Sequence, residues 1–332
     1  MVHQNPINSP SQIGKSKPIF TDNVLPWLLA GREQGEKGAL VTFVACEGTA
    51  PRPIGAQMAV RESGLSQGLI ASDCLGEAIV QEAIKTIEKK APTMVRYGKG
   101  SPYIDLKLPC GSGIDLYFNS TLEDDILAQM VAWQKKRKTF TAQFDIKQGT
   151  TSLSPYAPNQ QSGFLEKDVT QFVRTYLPTP RLIIIGSGPN ILYLANFAQQ
   201  SGFEVQVISP DKEIIEQPQQ FTTHPLQELK TVIEHEADPY TAAVVLFHDH
   251  DLEPPVLKHL LNSRCFYIGA MGSKRAHQAR LEVLQNEGTS TSDLRRLKGP
   301  IGALPAAKNP PQLAISILAE LMQEAQKRNL IC

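Results

Sequence analysis

Apolar residues in the second half of the chain fall into short unbroken runs: RLIII at 181–185, AAVVLF at 242–247 and FYI at 266–268. Continuous apolarity over so few residues marks strands covered on both faces. A further strand is predicted at 204–208, and apolar spacing predicts helices over 191–201 and 311–327. Buried strands separated by helices predict a parallel sheet with helices on both sides, a Rossmann-like doubly wound α/β unit.

The first half is patterned differently. Strands are predicted at 39–46, 57–61, 67–71, 104–108, 114–118 and 139–144, with helices at 21–31, 78–90 and 122–136. The helix at 78–90 rests on Ile79, Val80, Ala83, Ile84 and Ile87, which share one face. Residues 47–56, with prolines at 51 and 53 and glycines at 48 and 55, form a stiff irregular loop. Residues 148–163 are rich in Thr, Ser, Pro, Asn and Gln and read as a loop or linker. No internal repeat or coiled-coil heptad is present. The expected organisation is a disordered tail at 1–18, a mixed α/β domain at 19–147, a linker at 148–178 and the Rossmann-like domain at 179–332.

Composition narrows the function. The chain has 332 residues, enough for two cores, and its 33 basic side chains balance 33 acidic ones. A neutral chain has no general basic field for nucleic acid. No apolar run approaches the ~20 residues that span a bilayer, and residues 1–18 lack the apolar stretch of a secretory signal. Both features point to a cytoplasmic protein without membrane contact. The 5 cysteines, at 46, 74, 110, 265 and 332, are odd in number and irregularly spaced. They read as reduced thiols, with no CxxC pair for structural zinc. Cys46 and Cys265 border apolar strands and are expected in the core, whereas Cys332 is terminal and incidental.

Candidate chemistry lies in the turns. Gly186-Ser187-Gly188 follows the first buried strand and opens a helix, the phosphate-cradle position of a Rossmann unit. The third glycine is replaced by Ile191, and Ser209-Pro210 stand where a ribose-binding acid should end the next strand, with Asp211 beyond them. His248-Asp249-His250-Asp251 follows the 242–247 strand and suits metal ligation, a proton shuttle or a solvated capping turn. The stretch 269–275, with Ser273, Lys274 and Arg275, and the cluster 298–302 suit an anion, or equally turn formation and helix capping. In the first half, Cys74 sits before a predicted helix and Cys110 in a Gly-rich turn between strands. A thiolate is favoured at a helix start, although a buried cysteine is more often an inert small hydrophobe.

In order, these segments resemble the xanthine dehydrogenase accessory family (XdhC/CoxI). The resemblance runs from about residue 40 and is carried by 48–58 (GTAPRPIGAQM), the Cys74 turn, Leu108-Pro109-Cys110-Gly111, the Gly186 turn, His248-Asp249, 267–275, 299–302 and the helix at 314–320. This chain is a divergent member. Ser72-Asp73 stand before Cys74 where the family has Gly-Gly, Gly76 takes the acidic position, and Ser209-Pro210-Asp211 replaces Asp-x-Arg. The resemblance implies an accessory factor rather than a catalyst: a dimeric chaperone that binds the molybdenum cofactor (molybdopterin). It implies support for exchange of an oxo ligand for sulfide by a cysteine desulfurase, then delivery to a molybdenum hydroxylase apoenzyme. The implied cofactor-binding residues are Arg52, Cys74, Cys110, Gly186, Gly188, His248, Ser273 and Lys274, with Cys74 and Cys110 as thiolates toward molybdenum.

Two other classes fit parts of the chain. An NAD(P)-dependent oxidoreductase, or a binder of another nucleotide, would use the Rossmann half, against which the missing third glycine and ribose acid count. A metal-dependent hydrolase would rest on His248, Asp249 and His250.

Overall fold

The computed structural model describes residues 22–71, 73–102, 111–155, 162–165, 168–216, 218–247, 252–304 and 307–331. The expected tail, the strand expected at 104–108, Cys110, residues 248–251 and Cys332 lie outside them.

The chain opens with α1 (Leu25–Glu33), β1 (Gly38–Glu47), β2 (Gln57–Arg61), β3 (Ser66–Gly68), α2 (Asp73–Lys89), β4 (Thr93–Gly98), β5 (Gly113–Asn119) and α3 (Asp124–Lys135). The strands form an antiparallel sheet in the order β3-β2-β1-β5-β4. Alternation along β1 assigns its faces. Leu40 and Val44 pack with Leu25 and Leu28 of α1 and Leu127, Met130 and Val131 of α3. Ala39, Val41 and Phe43 pack with Leu75, Ile79, Ala83 and Ile87 of α2, spaced at four as a helical stripe requires. The helix begins at Asp73 rather than near 78, so Cys74 lies in its first turn and not in the turn before it. Strand β4 escaped the sequence reading because Val95 and Tyr97 are its only buried residues.

The segment expected to be a linker is largely structured. β6 (Phe140–Asp145), β7 (Thr151–Pro155), β8 (Gly163–Leu165) and β9 (Asp168–Tyr176) form an antiparallel sheet ordered β7-β6-β9-β8. The strand expected to close the first domain therefore opens a second sheet. Phe140, Phe144, Phe172 and Tyr176 all enter the core shared with α1 and α3. Phe140 and Tyr176 stack with ring centroids 4.8 Å apart. The Tyr176 hydroxyl donates to Gln57 Oε1 at 3.0 Å, and Gln57 Nε2 donates to Thr42 Oγ1 at 3.0 Å, joining the two sheets through buried polar groups. Polar residues in β7 and β9 misled the sequence reading: β7 buries Thr151 alone, and among the described side chains of β9 the buried ones are Phe172, Val173 and Tyr176.

The rest of the chain alternates: β10 (Arg181–Gly186), α4 (Pro189–Gln200), β11 (Glu204–Ser209), α5 (Lys212–Glu216), β12 (Thr222–Pro225), α6 (Leu229–Glu236), β13 (Thr241–Leu246), α7 (Glu253–Leu261), β14 (Tyr267–Ala270), α8 (Lys274–Asn286), α9 (Thr291–Leu294), β15 (Leu297–Lys298) and α10 (Pro310–Lys327). The sheet order is β12-β11-β10-β13-β14-β15 with every pair parallel, the doubly wound arrangement the apolar runs predict. Every residue of β10 and β13 is buried. One face packs on α4 and α10, the other on α6, α7 and α8. Cys265 is in this core as expected, its thiol pKa pushed up to about 11 chiefly by burial. No helix among the described residues is long and apolar enough to cross a membrane.

Arg137 joins the Rossmann unit to the rest. Its guanidinium bonds Asp238 at 2.6 and 3.2 Å, Glu204 at 2.8 Å and the Thr179 carbonyl at 2.9 Å. The Thr139 and Tyr240 hydroxyls meet at 2.7 Å beside it. Glu204 opens β11 and Asp238 precedes β13, so the anchor grips the amino ends of the parallel strands. Burial raises the Asp238 carboxyl pKa, but the Arg137 hydrogen bond and charge outweigh it and hold the group below its ordinary value. Arg137→Ala is therefore expected to destabilise the protein by about 2 kcal/mol in urea unfolding. Because the folded-state pKa of Asp238 is depressed, this contribution is complete above the ordinary aspartate value and is lost as pH falls through the lower one. Acid unfolding of Arg137→Ala should accordingly show a weaker pH dependence than wild type.

Candidate functional site

Two sheet ends gather the residues that carry chemistry. At the first, the exit of β1 lies beside the entries of β2 and β5, with Thr42 paired to Gln57 and Glu47 to Gly113. Gly48 has φ +97, and a Cβ there would stand 2.9 Å from Ser112 Oγ. Ser112, almost wholly buried, donates from that hydroxyl to the Thr49 carbonyl at 2.9 Å. Leu75 packs in one cluster with Ala56 and Ile114, with Ile54 and Cys46 against it. The fold thus brings together the loop bearing Arg52, the start of α2 bearing Cys74, and the chain just beyond Cys110. Arg52 is held by an ion pair with Asp22. Cys74 falls in the first turn of α2, a helix of 17 residues. Cys46 departs from the core expectation: it is half-buried, with its thiol 3.7 Å from the Gly48 carbonyl.

Charge rims this end. Arg96 pairs with Asp115 at 3.1 Å and also with Glu47, which Lys99 reaches at 2.7 Å. The Lys99 hydrogen bond, then its charge, holds the Glu47 pKa below the ordinary range. Desolvation raises that of Asp115 against the pull of Arg96. Sequence reading missed this network and Ser112, because both depend on the register of β5 with β1 and β4.

The second end lies at the carboxyl ends of the parallel strands. Gly186 has φ +155, and a Cβ there would lie 2.5 Å from the Leu246 carbonyl oxygen, so no side chain fits between β10 and β13. Gly188, at φ +80, caps α4, and Pro189 starts the helix. Ile191, in the third-glycine place, is fully buried in the core. Asp211 reaches back from the end of β11, and the Gly188 N–H donates to its Oδ2 at 2.8 Å. The amide that would face a pyrophosphate in a dinucleotide fold thus already holds a carboxylate. A cleft of about 620 Å³ opens alongside, lined by Gly188, Pro189, Leu192, Asp211, Lys212, Glu213 and Ile214.

At the exit of β14, Ser273 caps α8, its hydroxyl accepting from the Ala276 N–H at 3.1 Å. Lys274 and Arg275 are exposed. Under this turn lies the buried ion pair of Arg280 and Glu253, with contacts of 2.7 and 3.1 Å and side-chain exposures of 3% and 2%. Arg280 Nη2 also donates to the Met271 carbonyl at 2.8 Å, while its buried Nη1 has no hydrogen-bond partner among the described residues. His277 lies so close to Gly299 that a Cβ there would stand 2.2 Å from its Nδ1, which also lacks a partner among the described residues. Burial first, and Arg280 second, lower the His277 pKa. Sequence reading singled out Ser273 and Lys274 but neither Arg280 nor His277, which sit inside a helix with no local mark. Phe247, buried at the exit of β13, precedes the His248 segment that lies outside the described residues. Among the described residues, no group of three or more His, Cys, Asp or Glu could hold a metal ion.

Residues 182–321 match the family model described as the XdhC Rossmann domain, and residues 31–98 match that of the XdhC and CoxI family. The chain is similar to the molybdenum cofactor insertion chaperone PaoD of Escherichia coli (strain K12), with 30% identity over 298 residues, 90% of this chain and 86% of the relative. It is also similar to a protein of Bacillus subtilis (strain 168) described as a probable xanthine dehydrogenase subunit, at 25% identity over 89% of this chain and 95% of the relative. A solved structure from Bacillus halodurans, described as a xanthine dehydrogenase, matches with TM-score 0.72 and 21% identity over 92% of this chain and 96% of that one. That last likeness concerns the fold.

Two expectations follow from the crevice. Gly186→Ala should cost about 2 kcal/mol or more in urea unfolding, since the new methyl meets backbone that cannot move aside. The lowered His277 pKa means that the unfolded chain takes up a proton more readily than the folded one. Stability should then fall as pH drops below the ordinary histidine value of about 6.5, and His277→Gln should flatten that fall in unfolding titrations.

Proposed function

The chain belongs to the XdhC and CoxI family, and from that premise we propose that it is a molybdenum cofactor-binding chaperone, a maturation factor rather than a catalyst. The observation that carries this reading is the 30% identity to a molybdenum cofactor insertion chaperone, which extends over 90% of the chain and so takes in both sheet ends. The cofactor is cargo in this reading, to be held, shielded and released.

The residue chemistry at the first sheet end is compatible with such cargo. A thiolate is a soft ligand suited to a molybdenum–sulfur centre, and helix starts such as that of α2, within which Cys74 falls, are positions where thiolates are generally favoured. The loop bearing Arg52, the start of α2 and the chain from residue 111 lie at the same end, which supports a reading in which Arg52, Cys74 and Cys110 serve one binding surface. Arg52 would exchange its Asp22 partner for an anionic group of the cargo. At the carboxyl ends of the parallel strands Gly186, Gly188, Ser273 and Lys274 would serve the same cargo, and so would His248, which lies outside the described residues. The finer role follows the family: the cofactor is held while a cysteine desulfurase supplies sulfide, then passed to a molybdenum hydroxylase apoenzyme, by a cytoplasmic homodimer. A nicotinamide dinucleotide has less support, because Asp211 takes the Gly188 N–H and Ile191 replaces the third glycine.

The test is anaerobic binding of molybdenum cofactor to the purified protein, read by fluorescence of the oxidised pterin. Wild type should bind stoichiometrically, and Cys74→Ala or Cys110→Ala should bind at least about tenfold more weakly, as loss of a metal–thiolate contact requires. No binding by wild type, under conditions where the Escherichia coli chaperone binds, would sink the reading.

A further inference from the structure

The loop at 48–56 leaves the exit of β1 and returns as β2, and its two limbs are fixed differently. On the returning limb the Gly55 N–H donates to the Phe43 carbonyl at 2.7 Å, and the Phe43 N–H donates to the Ala56 carbonyl at 2.9 Å. Ile54 packs against both apolar clusters of the first half. On the outgoing limb a side chain supplies the tie: the Ser112 hydroxyl donates to the Thr49 carbonyl at 2.9 Å. Ser112 is itself firmly placed. It is 1% exposed, it precedes β5, and its own carbonyl accepts the Lys99 N–H at 2.9 Å. A Cβ on Gly113 would stand 2.5 Å from the Lys99 carbonyl oxygen, and one on Gly48 would stand 2.9 Å from Ser112 Oγ. The chain therefore closes on Ser112 from both sides.

Between the two ties the loop is stiff. Pro51 and Pro53 have fixed φ, and each restricts the residue before it, so Ala50 and Arg52 have few conformations open to them. Residues 49–53 are exposed or half-buried, so packing does little to hold them. In a stiff span of this kind the placement of Thr49 sets the placement of Arg52. We propose that Ser112 is a positioning residue for Arg52: its hydroxyl fixes the outgoing limb and so aims the guanidinium at an anionic group of the cargo. The Asp22 ion pair does not replace this tie, because Arg52 gives up that partner when the cargo arrives. Thr49 is exposed, so water can take the place of the lost donor at its carbonyl. Loss of the hydroxyl then costs the loop its position and leaves the fold intact. The inference rests on the carrier reading and adds to it a residue that acts on the cargo only through another.

The test is anaerobic titration of molybdenum cofactor into full-length wild type, Ser112→Ala, Arg52→Ala and the double variant, with melting temperatures measured alongside. Ser112→Ala should bind about fivefold more weakly and melt within about 4 °C of wild type. Arg52→Ala should bind at least about tenfold more weakly, as loss of a charged hydrogen bond requires. The double variant should match Arg52→Ala within about twofold, because Ser112 acts through Arg52. A serine with a purely structural role would weaken both backgrounds by the same factor. The inference is overturned if Ser112→Ala binds as wild type does, if it fails to fold, or if it multiplies the loss already present in Arg52→Ala. It is overturned as well if Arg52→Ala binds as wild type does. Each of these results leaves the carrier reading standing, since wild type still binds. Wild type that binds no cofactor would instead sink the carrier reading and this inference together.

Discussion

The arrangement of the Rossmann half depends on how closely β10 and β13 approach at their carboxyl ends. These strands are neighbours in the sheet, yet the chain leaves them toward helices on opposite faces. A residue with a side chain at 186 would press into the backbone of Leu246, so the divergence is possible only with glycine there. From that point the loops fan out, and the ends of β11 and β14 are brought to the same edge. The crevice and its charged groups are consequences of this contact. Arg137 fixes the other edge, leaving the carboxyl ends clear of the junction with the first two sheets.

Charge compensation then separates loops that look alike in sequence. Both the α4 and α8 turns carry glycine before a helix, and both would ordinarily suit an anion. Asp211 converts the first into a closed, self-neutralised turn. At the second, the neighbouring acid, Glu253, is buried beneath the turn and spent on Arg280. A buried ion pair is weak evidence of stability, because desolvation offsets its attraction. Its value here is positional: it holds a guanidinium rigidly beneath a backbone turn.

The first half shows the same economy with a different sheet. β1 is buried on both faces, which frees its exit and the neighbouring strand entries to carry irregular, Pro- and Gly-rich loops. Ser112 ties two of those loops together from inside the core. The start of α2 joins them because Leu75 is part of the same apolar cluster. The four-stranded sheet braces the assembly from behind through Tyr176, Gln57 and Thr42.

Local sequence determined much of this. Unbroken apolar runs at 181–185 and 242–247 require strands buried on both faces, and helical stripes between them require helices, so a doubly wound sheet was legible before any coordinates. So were the strand at 57–61 and the glycine turn at 186–188. Strands with one buried face were legible only in part: the polar residues of 151–155 and 168–176 read as linker, since the aromatic core they complete comes from distant segments. The tertiary structure alone decided which polar groups meet. Asp211 reaches Gly188 across the space between two strand ends, and Arg280 finds Glu253 from another helix. Such pairings depend on register and helix rotation, set by packing over the whole domain, and no local pattern of residues encodes them.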